Sequence, residues 1–212
     1  MLHIGKTGGT ALKTVLTAHR ERHPDAPFET FSHAMTLPRL WNRHPEANAV
    51  FFVRDPIERY VSGFNSRKRQ GRPRHDFPWS DVEAEAFAAF ATANELAEGL
   101  SDRAFAAGRA MQAIQHVRAP LSAFLISVEF LEANRDSILF VGRCKNFDSD
   151  LAALRDVLNI DHDIEQPRDD IGAHRSLDSD EKNLSAVALE NLTAYFEKDY
   201  RILRWCEAWQ AV

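Results

Sequence analysis

Leu2-His3-Ile4-Gly5-Lys6-Thr7-Gly8-Gly9-Thr10 reads as a short buried strand running directly into an anion-binding turn. Leu2 and Ile4 supply the apolar strand positions. Gly5, Gly8 and Gly9 permit positive φ and a close approach of the backbone to a ligand. Leu12, Val15 and Leu16 then recur at helical spacing, so a helix opens at Gly9 or Thr10. A helix start carries unpaired N–H groups and the positive end of the dipole. Lys6 adds a full charge, and Thr7 and Thr10 add hydroxyl donors. The segment is suited to hold a phosphate or sulfate group; the alternative is an ordinary glycine turn. It departs from the nucleoside-triphosphate P-loop, which needs a further Gly upstream of its Gly-Lys-Thr, a position that falls ahead of Met1. Gly8-Gly9 also stand between Lys-Thr and the helix.

Outward from this turn, strand and helix patterns alternate, which predicts an α/β fold with three layers, helices flanking a central parallel sheet. Residues 28–32 are a second strand candidate. Residues 48–53 (Asn-Ala-Val-Phe-Phe-Val) form a continuous apolar run, as does 137–141 (Ser-Ile-Leu-Phe-Val), the pattern of buried parallel strands. Asp55-Pro56-Ile57-Glu58 is a helix start, with Asp as N-cap, Pro in the first position and Glu completing a capping box. Phe147, Leu151, Leu154 and Leu158 mark a later helix. Leu184, Val187, Ala188, Leu192, Tyr195 and Phe196 mark another, and Trp205 and Trp209 belong to a terminal one. Residues 71–80 read as an irregular loop, and 82–118 as alanine-rich helix broken at Gly99. The expectation is one domain over 1–212, with a helical insertion around 71–130.

A second chemical constellation follows the strand at 48–53. Arg54 leaves its carboxyl end just before the capped helix, the edge where open α/β sheets bind ligands. Ser62 lies about two turns into that helix. An Arg fork with a Ser hydroxyl suits a phosphate monoester; an ion pair of Arg54 with Asp55 or Glu58, and a packing role for Ser62, are the alternatives.

The chain has 212 residues and a formal net charge of −5, which argues against general affinity for nucleic acid or anionic membrane. Two cysteines, Cys144 and Cys206, make no disulfide framework and fit a reducing, cytoplasmic setting. There is no apolar run of about 18 residues that would span a membrane, and no signal peptide is visible. Whether native residues precede Met1, and the oligomeric state, are left open.

Together the two sites resemble the sulfotransferase family that uses 3′-phosphoadenosine-5′-phosphosulfate (PAPS). His3-Ile4-Gly5-Lys6-Thr7-Gly8-Gly9-Thr10 is similar to the family's 5′-phosphosulfate loop, with Gly5 where Pro is commoner. Phe52-Val53-Arg54-Asp55-Pro56 through Ser62 is similar to its 3′-phosphate site, and Phe140-Val141-Gly142-Arg143 to its late strand. The carbohydrate 2-O-sulfotransferase type and its bacterial cousins are the nearest in pattern. The resemblance implies a P-loop-like sulfotransferase fold, with Lys6, Thr7, Gly8, Gly9 and Thr10 on the phosphosulfate and Arg54 and Ser62 on the 3′-phosphate. It implies sulfuryl transfer from PAPS to a hydroxyl of a carbohydrate or small metabolite, without a metal. Lys6 then serves the leaving group and His33 is placed like the family's base, with Glu29 and His116 as alternatives. Arg67 to His75 is a basic stretch that would cover the cofactor or receive an anionic acceptor, or else is a solvated face. Residues 173–176 (Ala-His-Arg-Ser) fall where the family has a cofactor-covering segment. The competing readings are a P-loop small-molecule kinase, with ATP and magnesium held through Thr7 and Asp55, and a nucleotide-binding module without catalysis.

Overall fold

The computed structural model describes residues 1–166 and 182–209, so residues 173–176 lie outside the described part. The chain divides into two compact units. One comprises Met1–Arg54, Leu121–His174 and Arg201–Val212; the other comprises Asp55–Pro120 and Arg175–Tyr200. The fold is α/β and rich in helix. Its elements in chain order are α1 (Gly9–Arg22), α2 (Leu37–Arg43), β1 (Ala49–Val53), α3 (Pro56–Lys68), α4 (Asp81–Ala89), α5 (Ala93–Asp102), α6 (Ala104–Ala113), α7 (Leu121–Leu125), α8 (Val128–Ala133), β2 (Ile138–Arg143), α9 (Phe147–Leu158), α10 (Ala186–Tyr195) and α11 (Glu197–Ala208). Among the described residues no helix is long and apolar enough to cross a membrane.

The first unit is built on β1 and β2, which pair in parallel. Val50 faces Phe140 and Val53 faces Arg143, with an irregularity in register between Ala49 and Val50. All five β1 residues are buried, as the unbroken apolar run predicts for a strand covered on both faces. Val50, Phe52 and Phe140 share one face with Leu12, Val15 and Leu16 of α1 and Leu151 and Leu154 of α9 in a single apolar core. Gly142 is required there: a Cβ on it would stand 2.4 Å from the Phe52 ring.

The strands expected at residues 2–4 and 28–32 do not form ladders. Leu2 N–H donates to Val50 C=O at 2.8 Å, and Phe31 N–H donates to Met1 C=O at 3.1 Å. The chain thus runs beside β1 only briefly before Gly5 turns it away, too short a stretch for a regular pairing.

The second unit is helical. Tyr60, Val61 and Phe64 of α3 form one core with Phe87, Phe90, Leu96, Met111, Leu192 and Phe196. The alanine-rich region is three helices, α4 to α6, and Gly99 does not break them as the sequence suggests. It sits inside α5, where a Cβ would meet the Phe90 ring at 2.7 Å. The breaks fall instead at residues 90–92 and at Arg103. The helix marked by residues 184–196 is α10, and the terminal helix expected at Trp205 and Trp209 is α11, which ends at Ala208, one residue short of Trp209.

Candidate functional site

The turn after Ile4 is held in a conformation that ordinary residues avoid. Lys6 has φ 66° and Gly8 has φ 76°, both in the left-handed region. For a lysine that region is uncommon, and such outliers concentrate at ligand sites. Thr7 is 2% exposed and its hydroxyl donates to Ile4 C=O at 2.9 Å, which closes the turn from inside. Its hydroxyl hydrogen is therefore engaged with the backbone, unlike the free donor expected from sequence.

Gly8 is the N-cap of α1 and makes no side-chain cap hydrogen bond, and the first turn of α1 carries no acidic residue. The N–H groups of that turn lack intrahelical partners. An anion is thus matched to the helix start, with no carboxylate of the first turn competing for it. Two rings support this cradle. A Cβ on Gly8 would lie 2.7 Å from the Phe147 ring, and one on Gly9 would lie 2.1 Å from the His3 ring. Both positions must be glycine for the backbone to settle here, a constraint that the motif shows and whose cause only the fold reveals.

Direction follows from these contacts. Leu2 lies beside Val50, and Gly8 lies against Phe147, the first residue after the segment that leaves β2. Residues 2–8 therefore run toward the carboxyl ends of β1 and β2. Arg54, half-buried, leaves β1 at that edge. Arg143 ends β2 opposite Val53, but its guanidinium is taken by Asp150, with Nε–Oδ2 and Nη2–Oδ1 contacts of 2.9 Å each. That paired carboxylate raises the Arg143 pKa further.

His33 is exposed, and its Nδ1 lies 3.2 Å from His3 C=O. A carbonyl only accepts, so Nδ1 carries the hydrogen and the neutral ring keeps its lone pair on Nε2. The His3 and His33 rings stand 4.0 Å apart. Burial, then the neighbouring His33 and Lys13, lower the His3 pKa to about 3. His3 is therefore a neutral spacer between Gly9 and His33. Glu29 is exposed.

In the second unit Ser62 is 7% exposed on α3. One residue on, a Cβ at Gly63 would lie 3.1 Å from the His116 carbonyl, so the turn carrying His116 packs on α3. Asp55 caps α3: its Oδ1 accepts from Ile57 and Glu58 N–H, each at 2.9 Å. Its Oδ2 accepts from Tyr200 O–H at 3.1 Å. Burial, followed by the charge of Asp55, raises the Tyr200 pKa.

The basic stretch loses its first member. Arg67 is buried and pairs with buried Glu83, Nη2–Oε2 2.7 Å and Nε–Oε1 2.8 Å. It also donates to Phe77 and Pro78 carbonyls. Arg67 holds the 71–80 loop together instead of facing an anion. Arg72 pairs with Asp76 at 3.0 Å on the surface.

A family model described as the Sulfotransferase family matches residues 1–205. The chain belongs to that family, whose activity is sulfuryl transfer. No curated protein and no solved structure matches it.

Proposed function

We propose that the protein transfers the sulfuryl group of PAPS to a hydroxyl of a carbohydrate or small metabolite, by in-line displacement. The observation that carries this reading is the acid-free, glycine-capped start of α1 beside a left-handed lysine. That cradle fits a 5′-phosphosulfate through Lys6, the backbone of Thr7, Gly8 and Gly9, and Thr10. Arg54 is assigned to the 3′-phosphate from its place at the end of β1, and Ser62 from its motif.

PAPS supplies sulfur already activated, so that the bond to the 5′-phosphate oxygen breaks as the acceptor oxygen bonds to sulfur. Lys6 and the α1 N–H groups stabilise the negative charge that builds on the departing phosphate. His33 takes the acceptor hydroxyl's proton at Nε2, the nitrogen its bond to His3 leaves with a lone pair. Lys6, Arg54 and the loop hold the donor in line with that attack, which supplies much of the rate.

A kinase is the weaker reading. Its magnesium would rest on Thr7 and Asp55. The Thr7 hydroxyl donates inward, and both Asp55 oxygens accept hydrogen bonds from α3 and Tyr200.

Thermal melts with adenosine 3′,5′-bisphosphate and with ATP plus magnesium separate the two. A ligand of the native state stabilises it by about 2.7 kcal/mol at a hundredfold excess over Kd. The bisphosphate is expected to raise Tm and ATP with magnesium is not; the reverse result removes PAPS. Transfer of radiolabelled sulfate from PAPS to an acceptor pool then excludes a module that only binds.

A further inference from the structure

The far end of α1 carries a second grouping of ligand atoms. His19 and His23 are one turn apart and so leave the same helix face, with ring centroids 4.4 Å apart. Asp161, 138 residues beyond His23, brings its carboxylate to both rings. Its Oδ2 stands 3.0 Å from His23 Nε2 and 3.7 Å from His19 Nδ1. The three ligand atoms all lie within 4.8 Å of one another.

We propose that His19, His23 and Asp161 bind a divalent transition ion, zinc foremost, with solvent as the fourth ligand. Tetrahedral zinc with bonds of about 2.0–2.2 Å sets neighbouring ligand atoms roughly 3.4 Å apart. The two distances to Asp161 Oδ2 fall on either side of that value. Two imidazoles and one carboxylate are a zinc-type donor set rather than a calcium or magnesium set. His19 is 5% exposed and anchors the site from within, while His23 is half-exposed and opens it to an incoming ion.

Two groups compete with the ion, and both can yield. Arg22 Nη1 lies 3.4 Å from Asp161 Oδ2, but it is held more closely by Asp163, at 2.9 Å to each oxygen. The Asp161 N–H donates to His19 Nδ1 at 3.3 Å, a long bond that coordination would replace. At about 1.5 Å per residue, the site is some 15–20 Å along α1 from the anion cradle. Its role is therefore to staple the end of α1 to the segment after α9, not to enter the sulfuryl transfer.

The test uses the full chain stripped of metal with a chelator, then titrated with zinc by calorimetry and followed by thermal melting. Expected are one bound equivalent and a Tm rise of about 5 °C or more at a hundredfold excess over Kd. His23→Ala, at an exposed position, should lower zinc affinity at least tenfold and abolish the rise. His162→Ala, whose ring pairs with Asp156 instead, should change neither. Cobalt should give the visible bands of a four-coordinate site in the parent chain and not in His23→Ala. The proposal is overturned by absence of stoichiometric zinc binding, by undiminished binding in His23→Ala, or by a cobalt spectrum with no four-coordinate bands.

Discussion

His33 stands on the surface with one nitrogen tied to a carbonyl and the other keeping the lone pair of the neutral ring. That is the arrangement a base needs, since its tautomer is chosen before the acceptor arrives. His33→Ala is expected to cut turnover by about 10²- to 10⁴-fold while leaving affinity for adenosine 3′,5′-bisphosphate unchanged. Unaltered turnover in steady-state assays would move the role to Glu29 or His116. His3, on the ring's other flank, does not compete for the proton, because its pKa of about 3 keeps it neutral throughout the working range. Its position beside Gly9 also explains why the loop carries two adjacent glycines: the ring occupies the volume that a side chain would need.

Helix α3 and its loop depend on one buried ion pair. Burial alone would push the Glu83 carboxyl up, but hydrogen bonds from Arg67, Gln115 N–H and Ser80, with the Arg67 charge, hold it down at about 2. Because the folded pKa lies below the ordinary 4.5, the unfolded chain binds more protons at this residue between those values. Stability from this group is therefore complete above about pH 4.5 and is lost as pH falls toward 2. Arg67→Met would leave a buried carboxylate without its partner and should cost about 3–5 kcal/mol in denaturant unfolding. A loss under 1 kcal/mol would mean that the pair is dispensable. None of this was readable from the chain, where Arg67 looks like the start of a basic patch. Its partner is 16 residues away on α4, beyond any local pattern. By contrast α1, β1, β2, α9 and the Asp55 cap of α3 were legible, because apolar periodicity and cap chemistry are local. The segment at 28–32 misled because its aromatic residues resemble a strand although its backbone finds only short pairings near Met1. Gly99 misled because its packing against Phe90 is a tertiary fact. Of the candidate site, the loop glycines, Lys6 and Arg54 could be named from spacing. The engaged Thr7 hydroxyl and the supporting rings of His3 and Phe147 could not.

At the scale of the molecule, the chain passes between its two units four times, and the first passage falls between Arg54 and Asp55. β1 ends at Val53 and α3 begins at Pro56, so only those two residues separate strand from helix. One carries the charge assigned to the donor, and the other caps the helix with both of its oxygens engaged. Inserting a single glycine between them is expected to abolish bisphosphate binding, measured by calorimetry, even where circular dichroism reports a folded chain. Retained affinity would show that residue 54 does not depend on this spacing. Two neighbouring residues thus carry a charge and a helix cap with no idle link between them, so an added residue disturbs both tasks at once.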